Sequence, residues 1–121
     1  MTILKIITVL ISIESGGRIN AINVKENAVG VLQIRPIMVK EVNRICKLNG
    51  EDCVFENSER LSRGFSIRMA IVFLTYQRER YVKKYGREPS DLEIACSWQS
   101  GGIFNKASES YKSKLINKGV R

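Results

Sequence analysis

The sequence predicts an all-α fold, and three observations carry the prediction. Apolar residues recur at helical spacing in successive stretches, glycine and proline fall at the edges of those stretches, and no pair of alternating runs offers a convincing β-ladder. Only two prolines and nine glycines punctuate the chain, which favours a few long helices over many short strands. With 121 residues the sequence fills a single domain, residues 1–121, large enough to bury a core without a metal or disulfide staple.

Each element can be justified in order. The segment from about Thr2 to Ser15 is apolar nearly all round, as a central core helix would be, and Gly16-Gly17 ends it. Its run Ile3–Ile13 is too short to span a membrane. A lysine inside it and the lack of an evident small-x-small cleavage site favour a buried first helix over a signal peptide. Arg18 to Asn27 is a polar loop, and Ala28 to Ile34 an apolar patch that fits either a strand or a buried loop. Pro36 suits the first turn of a helix reaching about Leu48, with Val39, Val42 and Ile45 on one stripe, followed by an Asn49–Asp52 turn. Ser66 opens the strongest helical pattern, running to Tyr85 with Ile67, Ala70, Ile71, Leu74 and Val82 near one face, and Gly86 stops it. Ser90 and Glu93 form a capping box for a helix that holds Leu92, Ile94, Ala95 and Trp98 and ends at Gly101-Gly102. A last helix covers about Ala107 to Asn117.

The net charge of +8 suits a polyanionic partner such as cell wall, lipid or nucleic acid. The basic residues are scattered, with no block of five like charges, so no nucleic-acid arm is expected. Histidine is absent, which leaves acid–base chemistry to carboxylates, lysine, tyrosine or cysteine and excludes a Cys–His nucleophile pair. No zinc-type spacing exists, and no cofactor is expected. Cys46 and Cys53 are close enough for a small disulfide loop with Cys96 left over. The favoured expectation is nevertheless three thiols in a reducing compartment.

Three segments stand out as carriers of chemistry: Glu14-Ser15-Gly16-Gly17, Ala28 to Pro36, and Ala95 to Gly102. Glu14 follows Leu10, Ile11 and Ile13, so partial desolvation should raise its pKa and favour the protonated form. A carboxyl protonated near neutral pH is what glycosidic cleavage requires. Taken alone, Glu14 reads as a helix-end carboxylate in water, Gln33 as a capping or surface amide and Trp98 as a core residue.

In combination, Glu-Ser-Gly-Gly, then Gly-Val-Leu-Gln-Ile-x-Pro, then an aromatic–amide turn before Gly-Gly resembles the lytic transglycosylase family of lysozyme-like enzymes. The likeness covers about residues 4 to 105 and is nearest to short phage- or mobile-element-encoded members. It implies a single-domain lysozyme-like fold with Glu14 as acid and base at the end of the central helix. It further implies that Ser15 holds Glu14 by a hydrogen bond, that Gln33 contacts sugar and that Ile34 packs beneath it. Trp98 matches the aromatic position of the third motif. Gln99 stands where the family usually has Asn, a departure that lengthens the amide by one methylene. Tyr111 falls where related short members carry an aromatic, and is a cleft candidate.

The activity implied is cleavage of peptidoglycan between N-acetylmuramic acid and N-acetylglucosamine, without water, giving an anhydromuramyl product. A hydrolytic muramidase needs a second carboxylate, for which Glu26 in the polar loop is the best candidate. An inactive cell-wall-binding or virion structural relative is the alternative from another class, and charge alone motivates a nucleic-acid binder. The expected setting is the periplasm or cell wall, reached through a phage particle, a lysis system or a secretion machine. A monomer is the default expectation.

Overall fold

A computed structural model describes all 121 residues. Five α-helices carry the fold: α1 (Ile3–Ser15), α2 (Pro36–Leu48), α3 (Arg63–Tyr85), α4 (Asp91–Gln99) and α5 (Glu109–Asn117). A 3-10 turn, Asn57–Leu61, precedes α3. The fold is thus mostly helical, as predicted, but it also contains a two-residue antiparallel ladder, β1 (Ile22–Asn23) with β2 (Ala28–Val29). So short a pair leaves no alternation in the sequence to read. No helix is long and apolar enough to cross a membrane.

The helix ends follow local chemistry. Thr2 caps α1 through the Lys5 amide, Pro36 opens α2, and Gly16 and Gly86 close α1 and α3 in the left-handed conformation. The Ser90–Glu93 capping box of α4 is formed reciprocally. Glu93 also accepts from Tyr81 Oη and pairs with Arg87, whose guanidinium holds the carboxyl down at about 2.

Two helix starts differ from the pattern reading. Helix α3 begins three residues before Ser66, because Ser62 caps it through the Phe65 amide. Ser66 is instead fully buried and donates to the Arg60 carbonyl at 3.0 Å. Helix α5 begins at Glu109 under a Ser108 cap, leaving Ala107 outside and buried.

The centre of the molecule is α3, not α1. It packs against α1, α2, α4 and the 3-10 turn, and Met69, Ala70, Phe73 and Leu74 are completely enclosed. Ile71 lies outside this face. Helix α1 is one-sided: Ile6, Ile7, Leu10 and Ile11 are buried, whereas Leu4 is 58% exposed. Its apolar content suggests a central helix, but Leu4 takes the outer face along with Lys5 and Thr8.

The expectation of three free thiols is overturned. Cys46, on the buried side of α2, is joined to Cys53, with a Cα–Cα distance of 5.9 Å, while Cys96 remains a buried free thiol. The bond ties the loop after α2 back onto the helix. Asn43 reinforces it by bonding both the amide (2.7 Å) and the carbonyl (2.9 Å) of Phe55.

Residues 28–34 combine both readings of that segment. Val29 bridges Ile34, and the turn between them places Gly30 at φ +84° and Gln33 at φ +50°. A Cβ on Gly30 would stand 2.1 Å from the Arg60 carbonyl oxygen. Arg60, only 8% exposed, donates to the carbonyls of Asn27 (2.7 Å), Ile34 (3.0 Å) and Asn57 (2.9 Å).

Two stability predictions follow from this packing. Gly30→Ala combines a backbone clash with an unfavourable φ and should cost about 3 kcal/mol, read as a lower urea midpoint at unchanged slope. Replacing both Cys46 and Cys53 with alanine should lower stability by about 2 kcal/mol, with the parent falling to a similar level in reductant.

Candidate active site

The end of α1, the 28–35 segment, the end of α4 and helix α5 enclose one cleft of about 490 Å³. Glu14, Gln33, Ile34, Trp98, Gln99, Tyr111 and Glu26 all line it, so residues scattered over the chain converge. Of the sequence candidates, Ser15 alone is not on its wall.

Glu14 is half-buried on the last turn of α1 and accepts a hydrogen bond from Tyr111 Oη at 2.7 Å. Burial raises its pKa above the usual glutamate value. The Tyr111 bond and the charges of Lys114 and Arg35 oppose that rise, and Glu26 adds to it. Burial and the adjacent carboxylate push the Tyr111 phenol upward, so it remains a donor.

Ser15 does not hold Glu14. Its Oγ donates to the Val31 carbonyl at 2.7 Å and accepts from the Gly17 amide at 3.1 Å. The side chain points away from the cleft and stitches the end of α1 to the 28–34 turn. The support expected from Ser15 comes from Tyr111 instead.

Gln33 Nε2 donates to the carbonyls of Ala21 and Gly30, both at 3.0 Å. Its amide nitrogen therefore braces the hairpin and offsets the left-handed backbone, which leaves the carbonyl end for a ligand. Ile34 is buried and floors the cleft. Trp98, 6% exposed, meets Phe73 edge to face with ring centroids 5.6 Å apart. It is chiefly a core residue and presents only a sliver to the cleft.

Gln99 is exposed, with both ends of its amide engaged by Ser108. Glu26 is also exposed, on the hairpin turn, with its amide bonded to Asn23 Oδ1. Sequence reasoning missed Arg35 and Lys114, two exposed cations on the cleft wall that form no ion pair. A signal for Lys114 existed, since three residues beyond Tyr111 on a helix shares its face. Arg35 adjoins Ile34 but carries no pattern that marks it.

Chemically, the arrangement offers a carboxyl biased toward its neutral form, a fixed phenol beside it and a neighbouring free carboxylate. It can deliver a proton to a ligand oxygen and take one back. No protein-family model, characterised protein or solved structure matches the chain.

Because folding raises the Glu14 pKa, its burial costs nothing below the ordinary glutamate range and progressively more as pH rises through the folded value. Carbon-detected NMR titration should place the Glu14 midpoint above that of an exposed glutamate. Tyr111→Phe, which removes a bond favouring the charged form, should move it higher still. An ordinary midpoint in the parent would contradict this account of the site.

Proposed function

We propose that the chain is a single-domain, lysozyme-like enzyme that cleaves the glycan strands of peptidoglycan, with Glu14 as general acid. One observation carries the reading: the carboxyl that burial biases toward protonation lines the same cleft as Gln33, Ile34 and Trp98, the other motif residues. The motif order supports the family, and the cleft chemistry supports the reaction class.

On this reading Glu14 protonates the glycosidic oxygen between N-acetylmuramic acid and N-acetylglucosamine. The substrate's acetamido group stabilises the oxocarbenium-like centre. Glu14, now ionised, removes the proton from the muramyl C6 hydroxyl, whose oxygen closes on the anomeric carbon. The products are an anhydromuramyl end and a free N-acetylglucosamine hydroxyl. Tyr111 steadies the carboxylate form between the two proton transfers.

Hydrolysis is the second reading, and the position of Glu26 favours it. Glu26 lines the cleft, and its charge raises the pKa of Glu14, so it faces the same space as the acid. A carboxylate so placed can activate water. A monomer acting at the cell wall or in the periplasm fits both readings.

Digestion of purified peptidoglycan followed by mass spectrometry separates them. Anhydromuropeptides are expected from the parent, with Glu14→Gln reducing release by about a thousandfold. Reducing-end fragments lost on Glu26→Gln would assign hydrolysis instead. Release that is absent, or indifferent to Glu14→Gln in a folded variant, would remove the enzyme reading and leave a cell-wall-binding relative.

A further inference from the structure

Gln99 is the position at which the third motif departs from the family pattern, and its bonds explain the longer side chain. Residues 100–107, between α4 and α5, form no helix or strand. At the base of that connection, Gln99 Oε1 accepts from the Ser108 amide at 2.9 Å, and Gln99 Nε2 donates to Ser108 Oγ at 3.2 Å. The same Ser108 oxygen accepts from the Tyr111 amide at 3.1 Å and opens helix α5. Tyr111 Oη then donates to Glu14 Oε2 at 2.7 Å. A continuous line of hydrogen bonds and one helical turn runs from the last residue of α4 to the carboxyl at the end of α1.

We infer that Gln99 is a positioning residue, which sets the start of α5 through Ser108 and thereby the bond from Tyr111 to Glu14. Asparagine is one methylene short of spanning the same gap with both ends of its amide. An amide engaged at both ends is also poorly placed to recognise sugar, so Gln99 acts on the geometry of Glu14 and not as a substrate ligand. As a role in catalysis, this inference rests on the reading of Glu14 as the acid. As a structural link, it does not need that reading.

The test uses the full chain and compares the parent with Gln99→Ala, Gln99→Asn and Tyr111→Phe. NMR titration of the Glu14 carboxyl is run without substrate, beside the pH profile and the kcat and KM of peptidoglycan cleavage. Both Gln99 variants should raise the Glu14 midpoint in the direction of Tyr111→Phe and shift the pH profile upward. They should lower kcat about tenfold, with little change in KM. Thermal midpoints should stay close to the parent, because Gln99 is exposed.

A Glu14 midpoint unmoved by Gln99→Ala would overturn the inference, whether or not activity changes. Full activity in Gln99→Asn would also overturn it, because an amide presented to substrate tolerates the family's residue whereas a two-ended tie does not. If the parent cleaves no peptidoglycan, the proposed function fails while the titration still decides the link from Gln99 to Glu14.

Discussion

Arg60 brings a full positive charge into the interior, and its hydrogen bonds go to three backbone carbonyls and the Asn27 side-chain oxygen, with no carboxylate in partnership. Burying a guanidinium this way is tolerable only because charge-assisted bonds replace its water. In return, Arg60 clamps Asn27 and Ile34, the two ends of the segment that forms one wall of the cleft. Gly30 has no side chain because the Arg60 backbone occupies the space. Ser15 then fastens the end of α1 to Val31 in the same turn. The wall bearing Gln33 and the helix bearing Glu14 are thus registered to one another by buried side chains bonded to backbone carbonyls.

That registration is what makes the environment of Glu14 reproducible. A carboxyl at a free helix end would sit in water and titrate normally, whereas here the last turn of α1 is held against the 28–34 segment and covered by α5. Tyr111 is buried for its ring and polar at its tip, which lets one residue both desolvate Glu14 and bond to it. The two effects act oppositely on the pKa, and burial is the larger.

The helices were legible where their signals were local. The Pro36 start, the Gly16 and Gly86 stops and the Ser90–Glu93 box depend only on near neighbours, and the structure keeps each of them. Glu14 could be singled out because an acidic residue ending an apolar run is anomalous in sequence. What escaped depended on tertiary contact. Arg60 looks like any surface arginine until the fold surrounds it with carbonyls, and Ser66 looks like a cap until Arg60 takes its hydroxyl. Ser15 lies beside Glu14 in sequence, but successive helical residues diverge by about 100° and so face different partners. The Cys46–Cys53 pair was within reach by spacing, yet spacing cannot say whether two sulfurs meet.

The charges around the cleft also bear on the two proton transfers of the proposed reaction. An acid that must later act as base works best with a pKa near the working pH, since too high a value slows the second proton transfer as surely as too low a value slows the first. Desolvation alone would favour only the acid step. Arg35, Lys114 and the Tyr111 hydroxyl each stabilise the ionised form, and each lies outside α1, Arg35 just before α2 and the other two on α5. The pKa of Glu14 is therefore a compromise set by tertiary structure, with α5 supplying two of the three opposing groups. Helix α5, nine residues long, thus bears directly on the ionisation of a carboxyl on α1, and in the proposed reaction its docking helps to decide whether Glu14 can serve both steps.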